Sequence, residues 1–356
     1  MKRVLITGAG GSPAANFVRS LRKAPEDFYI VGTDASQYYL MRAETDARYL
    51  VPAADDPFFV PVLNEIIRRE GVELVHAQND AEVNALSDNR AAISAMTFLP
   101  AEETIRLCQD KYLSYERWQK AGLKVARTLL VESEDDLVRA FDDYGGSVWL
   151  RATTGAGGRG SLPTSDFDTA KTWLDFQRGW GHFTAAELLE PSSVTWMSLW
   201  HDGQLVVAQG RKRLYWELGK IAPSGISGAT GGGVTFSDPF LDQIALGAVS
   251  AIDPRPEGLF GVDLTYDKDG TPNPTEINIG RFFTTHQFFT ELGLNMPYIF
   301  VKLAYGEGPP DVARKLNPLQ DGMVWIRGMD FLPVLSSMAE ITAHLEALEE
   351  LRQGLD

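Results

Sequence analysis

Leu259-Phe260-Gly261-Val262-Asp263-Leu264-Thr265-Tyr266, then Asp267-Lys268-Asp269-Gly270, then Thr275-Glu276-Ile277-Asn278-Ile279-Gly280-Arg281 reads as two strands and a turn. Phe260, Val262, Leu264 and Tyr266 alternate with Gly261, Asp263 and Thr265, the period of a half-buried strand. Asp269-Gly270 is a hairpin turn signal. Thr275, Ile277 and Ile279 alternate in turn with Glu276 and Asn278. Successive strand side chains point to opposite faces, so Glu276 and Asn278 share a face and the pairing can place Asp263 beside them. Two carboxylates and an amide oxygen on one face repel each other if left empty. A hard cation such as Mg²⁺, held by carboxylates together with phosphate oxygens, relieves that repulsion. Arg281 follows directly and suits bidentate capture of an anionic oxygen. A solvated hairpin face with ordinary polar residues is the competing reading.

Working outward, the N-terminus opens as βαβ. Val4-Leu5-Ile6-Thr7 is a strand, Gly8-Ala9-Gly10-Gly11-Ser12-Pro13 turns into a helix carrying Phe17, Val18 and Leu21, and Tyr29 to Asp34 is the next strand. The pattern predicts a doubly wound parallel sheet, an α/β fold. Gly8 and Gly10 fit a dinucleotide fingerprint, with Asp34 as its acid, but Pro13 occupies the third glycine position. The alternative is a tight strand-to-helix turn and nothing more. Phe58 to Arg69 reads as a helix and Glu73 to Ala77 as a strand. Gln78 to Glu82 then falls at a strand's C-terminal end, as a helix start capped by Asn79 or Asp80 or as a contact to an acceptor substrate.

Asp110-Lys111 begins a helix that runs through Trp118 and ends at Gly122. Val148-Trp149-Leu150-Arg151 is a strand, followed by the glycine-rich stretch Ala152 to Ser161. Such a loop can fold over phosphates because its N–H groups approach without Cβ obstruction. It lacks the Lys-Ser/Thr ending of a Walker loop. Val194 to Leu199 and Leu205 to Gln209 read as strands around Asp202-Gly203. Arg211-Lys212-Arg213 is either a solvated strand edge or faces phosphates. Ser224 to Gly233 is too glycine-rich for a regular element and is expected as a mobile loop near the site. It holds no Gly-x-Ser-x-Gly, so no nucleophile elbow is expected. Trp196, Trp200 and Trp216 line a pocket or fill the core. Met323 to Arg327 reads as a strand, and the chain closes on an acidic helix ending in Glu349-Glu350-Leu351-Arg352, most simply a solvated face.

The 356 residues suggest two or three domains, and 44% apolar content is enough for sizeable cores. A formal charge of −15 argues against nucleic acid as a partner. Cys108 is the one cysteine, which excludes an internal disulfide and fits a reducing compartment. No apolar run reaches the length of a membrane span. A cytoplasmic protein with no membrane partner is expected.

Taken in order, Asp110-Lys111, Arg151 with its glycine-rich loop, Glu187-Leu188-Leu189, Asp263, Glu276-Ile277-Asn278, Arg281 and Gly293-Leu294-Asn295-Met296-Pro297 resemble the ATP-grasp superfamily. The branch most similar is that of the synthetase units of the carbamoyl phosphate synthase large subunit. The resemblance covers roughly residues 1 to 305. It implies an N-terminal doubly wound pre-ATP-grasp domain (1–108, Rossmann-like) followed by a two-lobed α+β ATP-grasp domain. The small lobe with its glycine-rich lid would be 109–186, the large lobe with the metal site 187–310, and a C-terminal strand–helix extension 311–356. Lys111 and Arg151 match the family's phosphate-contacting bases, and Gly155, Gly157 and Gly158 its flexible lid. Glu187, Leu188 and Leu189 match the hinge whose backbone reads adenine, and either Glu190 takes the role of the family's ribose-binding glutamate or that contact is missing. Asp263, Glu276 and Asn278 match the metal set. The family's usual ending is Glu-x-Asn-Pro-Arg; here it is one residue longer and lacks proline. The implied activity is an ATP-dependent ligase with Mg²⁺ (or Mn²⁺), joining a carboxylate to an amine through an acyl phosphate, with Arg281 and Arg151 catalytic. Its partners would be the two small-molecule substrates, with a homodimer left open. The alternatives are a nucleotide-binding regulatory protein with a degenerate ATP-grasp site, or an NAD-binding oxidoreductase.

Overall fold

Val4, Leu5 and Ile6 are all fully buried, as expected of a central parallel strand covered on both faces. This strand, β1 (Lys2–Ile6), pairs in parallel with β2 (Phe28–Asp34) on one side. With β3 (Ala47–Leu50), β4 (Leu74–His76) and β5 (Met96–Thr97) it forms a sheet of order β3-β2-β1-β4-β5, doubly wound as its alternating pattern predicts. The computed structural model describes residues 1–155, 157–158, 160–308, 312, 314–328 and 337–355. Ala156 and Arg159 of the glycine-rich loop, Pro309 to Asp311 at the domain boundary, and Asp356 lie outside the described residues.

Strand order reverses between β1 and β4, and a crevice there is where open α/β sheets bind ligands. The two turns at that point are tied together. Thr7 Oγ1 donates to Glu82 Oε2 at 2.6 Å, and Asn79 caps the helix Asp80–Asp88 by accepting from Glu82 N. Asn79, one of the two expected caps, is therefore the one used. Burial pushes the Glu82 carboxyl up to about 7, against the opposing hydrogen bond from Thr7. A carboxyl whose folded pKa lies above its unfolded value keeps its proton longer in the native state, so stability falls as pH rises from about 4.5 to about 7. Glu82→Gln should flatten that decline by on the order of 2 kcal/mol. Urea midpoints at pH 5 and pH 8 for both proteins check it, and equal pH dependence in the two would refute it.

The next unit is antiparallel: β6 (Thr128–Leu130), β7 (Val148–Ala152), β8 (Leu162–Thr164) and β9 (Phe183–Ala186), in the order β6-β9-β7-β8. It has its own core of Val131, Leu137, Val148, Leu150, Leu174 and Phe183. The remaining large lobe is a six-stranded antiparallel sheet made of β10 (Ser193–His201), β11 (Gln204–Trp216), β12 (Thr230–Phe236), β13 (Gly258–Tyr266), β14 (Pro272–Ile279) and β15 (Val324–Ile326). Its order is β14-β13-β10-β11-β12-β15. Its cores run on into those of the N-terminal sheet, so these two units share buried side chains while the small lobe stands apart.

One expectation is corrected here. Gly231, Gly232 and Gly233 do not belong to a loop; they lie in β12, opposite Tyr215, Arg213 and their neighbours on β11. A Cβ on Gly233 would meet Arg211 Cδ at 2.8 Å, and one on Gly232 would meet the Tyr215 ring at 2.6 Å. The glycines make room for large side chains from the next strand, which no local signal reveals. The C-terminal strand and helix pack onto the rest of the chain. β15 pairs with β12, and the helix Met338–Gln353 buries Leu348 and Leu351 in the core shared with the N-terminal sheet. Glu349 and Glu350 are exposed, as read.

Candidate functional site

The β13–β14 register places Asp263 directly opposite Glu276, and Gly261 opposite Asn278. Gly261 has no side chain, which leaves the Asn278 amide free to lean toward Asp263. Its Nδ2 donates to Asp263 Oδ2 at 3.1 Å. The two carboxylates and the amide thus share one face, as the alternation predicts. Thr195 on β10 pairs with Asp263 across the strands and donates Oγ1 to Asp263 Oδ1 at 2.5 Å. Each acid also has a cation near it. Arg151 Nη1 stands 4.0 Å from Glu276, and Arg213 Nη2 3.7 Å from Asp263.

Arg281 reaches this face despite the extra residue before it. Gly280 adopts φ +69°, donates its N–H to Leu259 O, and turns the chain back. The Arg281 guanidinium then donates to Asn278 Oδ1 at 2.7 Å and pairs with Asp80 from the N-terminal domain. Burial works against the charge of Arg281, but Asp80 outweighs it and holds the pKa above the ordinary value. Asp80 is thus an ion partner of the large lobe, a contact that the reading of Gln78 to Glu82 does not contain.

Two bases face the same cleft from the small lobe and the helix before it. Lys111 opens the helix Lys111–Lys120, which Asp110 caps through the N–H groups of Tyr112 and Leu113. Its Nζ donates to Gly155 O at 2.6 Å, and burial lowers its pKa. Arg151, at the end of β7, donates to Thr275 O at 2.7 Å across the lobes, and burial lowers its pKa as well. Lys111, Gly155, Glu276, Asn278, Arg281 and Asp80 line one cavity.

Gly155, Gly157 and Gly158 all sit at positive φ, which L side chains rarely adopt. This loop meets the second glycine-rich segment: a Cβ on Gly158 would lie 2.8 Å from Ile226, and one on Gly228 would lie 2.6 Å from Gly157 Cα. The two loops expected to cover the site are therefore in contact with each other. At the hinge, Glu187 sends its carboxylate to Arg127, whose N and Nε donate to it at 2.9 Å each. Glu187 N donates to Arg127 O and Glu190 N to Tyr266 O. Leu188 and Leu189 are the stretch between these two anchors. The Glu190 side chain is exposed.

The Arg211-Lys212-Arg213 triplet is no solvated edge. It lies on β11, inside the sheet, with Arg211 opposite Thr195. Arg211 is 1% exposed. Trp196 and Trp200 are core, while Trp216 lies under the Arg213 guanidinium at 3.7 Å. The glycine turn after β1 is closed to a dinucleotide. Asp34 accepts from Gly10 N at 3.0 Å and Ser36 N at 2.9 Å, and the Tyr39 carbonyl packs against Gly10 so closely that a Cβ would stand 1.9 Å from it.

A family model described as PylC-like, N-terminal domain, matches residues 4–99. None of the curated proteins matches the sequence. Solved structures with the same fold include the biotin carboxylase domain dimer of 2-oxoglutarate carboxylase from Hydrogenobacter thermophilus with MgADP, ADP and bicarbonate. It has 15% identity and a TM-score of 0.68, covering 91% of this chain and 73% of that one. The L-amino acid ligase of Bacillus licheniformis gives 13%, 0.65, 85% and 74%. The carboxyaminoimidazole ribonucleotide synthase of Aspergillus clavatus, complexed with ATP, gives 14%, 0.65, 100% and 99%. At these identities the likeness concerns the fold. No helix among the described residues is long and apolar enough to cross a membrane.

Proposed function

We propose that this chain, which has the ATP-grasp fold of the structures just described, is an ATP-dependent ligase joining a carboxylate to an amine through an acyl phosphate. The observation that carries the reading is the register pair Asp263–Glu276, with Asn278 beside it, Arg151 4.0 Å from Glu276, and Lys111 lining one cavity with Glu276 and Asn278.

The residues fit a Mg²⁺–nucleotide. Two carboxylates and an amide on one strand face supply hard oxygen ligands, and the adjoining bases and the lid suit phosphate oxygens. Bound there, the metal would supply neutralisation of phosphate charge. Phosphoryl transfer asks a protein for positioning and charge stabilisation more than for a nucleophile. Lys111 and Arg151 would hold nucleotide phosphates, and the Arg151 fork suits them bidentately. A carboxylate oxygen of the substrate attacks the γ-phosphorus and ADP leaves; the amine nitrogen then attacks the acyl carbon, losing a proton as phosphate departs. Arg281, held by Asp80 and Asn278, would stabilise the charge that develops on the acyl phosphate. Gly155 to Ser161 and the loop that carries Ile226 would exclude water, protecting that intermediate from hydrolysis.

Calorimetric titration with ATP in Mg²⁺ tests the reading. The expected result is binding by the native chain that weakens at least about tenfold in Glu276→Ala and in Arg151→Ala, since each loses a charge-assisted contact. A separate titration with NADH should give no heat. Absence of ATP binding, or NADH binding in its place, would overturn it.

A further inference from the structure

On the side of Asp263 away from β14, two arginines have no carboxylate within ion-pair distance other than Asp263 among the described residues. Arg211 is buried, and no ion pair to it exists among the described residues. It donates instead to two neutral hydroxyls, Thr285 Oγ1 at 2.8 Å and Thr195 Oγ1 at 2.6 Å, and its guanidinium lies 4.7 Å from the Phe283 ring centre. Its Nε is buried without a hydrogen-bond partner among the described residues. Arg213, two residues on, donates to Ser193 Oγ at 2.5 Å, Thr230 Oγ1 at 3.1 Å and Thr195 Oγ1 at 3.3 Å. Its one ion pair among the described residues is the 3.7 Å approach to Asp263, and 10% of its side chain remains exposed. Burial depresses the pKa of both guanidiniums, that of Arg211 to about 9.

A buried cation without a counter-ion costs several kcal/mol of solvation. Here Asp263 is the carboxylate nearest the two guanidiniums, Glu276 acts on Arg213 from farther off, and both carboxylates belong to the proposed metal set. Once a divalent cation engages Asp263, its charge is no longer available to the arginines. The local excess of positive charge, inside a chain of formal charge −15, then calls for an anion brought by a ligand. The nucleotide phosphates are accounted for by Lys111, Arg151 and the lid, which reach the β14 side of the site. Arg213 lies two strands beyond Asp263, next to Trp216 and the segment between β11 and β12. Its planar fork, with the ring beneath it, suits a carboxylate or phosphonate approaching from above.

We infer that the acceptor substrate carries a second anionic group besides the carboxylate that is activated, and that Arg213 receives it, with Arg211 behind as a buried charge that holds Thr195 and the site positive. This rests on the ligase reading above. Neutral-tailed carboxylates would leave Arg213 unmatched and bind poorly.

The test uses the full chain saturated with MgADP. It is titrated calorimetrically with straight-chain diacids from malonate to adipate, with the monomethyl ester of each, and with 3-phosphonopropionate. Each diacid and its ester differ by one charge at similar size. The expected result is that a diacid or the phosphonate binds at least about tenfold more tightly than its singly charged counterpart, the scale of one charge-assisted pair. The ratio should fall to near one in Arg213→Gln and to an intermediate value in Arg213→Lys. Preference for the phosphonate over every diacid would identify the second group as phosphate-like, and the reverse as a carboxylate. Equal binding of diacid and ester, no binding by any probe, or a preference that persists in Arg213→Gln overturns the inference. Should Arg213→Gln fail to fold, the native-chain comparison and Arg213→Lys still decide. Failure of MgADP itself to bind is a different outcome: it overturns the ligase reading, and this inference with it.

Discussion

Glu276→Gln is expected to lower ATP turnover by on the order of 10³-fold while leaving the fold intact, because preorganised charge at such a centre is the largest single contribution to transfer catalysis. The substitution keeps the shape of the side chain and removes one of the two carboxylates that face each other across β13 and β14. A cation would then rest on Asp263 and two amides, with Lys111 and Arg151 nearby and less negative charge to offset them. Stability should change little. The Arg151–Glu276 pair is long at 4.0 Å and both side chains are part-exposed, the circumstances in which an ion pair contributes least. Removing Glu276 also removes its repulsion with Asp263. The measurement is ADP release at saturating Mg²⁺ alongside a urea unfolding curve. Turnover at the native rate would remove Glu276 from the metal set; a collapsed unfolding transition would instead show that it holds the sheet.

The site face was legible because it rests on the period-2 rule alone. Glu276 and Asn278 alternate with Ile277, and a short turn forces the strand before them to run alongside, so Asp263 had to be near. The three central strands of the N-terminal sheet were legible for a similar reason, since each is a short apolar run between helical segments, whereas Ala47–Leu50 and the two-residue Met96–Thr97 at its edges carry no such run. What local reading could not supply was tertiary. Gly231 to Gly233 look like a loop until Arg211 and Tyr215 from the neighbouring strand occupy the space where side chains would be. Asp80 carries no mark that distinguishes a helix-start acid from the partner of Arg281, 201 residues away. Arg211 and Arg213 do alternate, as Thr195 and Ser193 do, so a strand continued past Gln209 would have put all four on one face. The apolar run of that strand stops at Gln209, although the strand itself continues to Trp216. The C-terminal helix shows its acids in the sequence and hides the two leucines that dock it.

The glycine turn after β1 decides between two uses of the same residues, and Gly10→Ala separates them. In a dinucleotide site the turn is open above, so that backbone can approach a pyrophosphate. Here that space is filled by the chain itself: an added Cβ would lie 1.9 Å from Tyr39 O, 2.3 Å from Tyr39 C and 2.8 Å from Tyr39 Cβ. Two of these three contacts are backbone, so no side-chain rotation relieves them. The segment carrying Tyr39 would have to move, and it is held by the Asp34 carboxylate, which accepts from Gly10 N and Ser36 N together, and by Ser36, which caps the short helix Gln37–Leu40. Displacing Tyr39 also withdraws Leu40, fully buried in the core, from its place. Overpacking of this kind costs about 1–3 kcal/mol, and the disturbed hydrogen bonds add about 1 kcal/mol more, so a loss of about 2–4 kcal/mol is expected. The urea transition of the N-terminal unit together with the large lobe, whose cores are shared, reads it. The proposed nucleotide contacts lie on the other lobes, so MgATP affinity measured below the transition should stay within about threefold of native, a small change on the scale of one hydrogen bond. An unfolding curve within about 0.5 kcal/mol of native, the range of an inconsequential surface change, would mean that the turn is not packed as described and would reopen it as a ligand-binding loop.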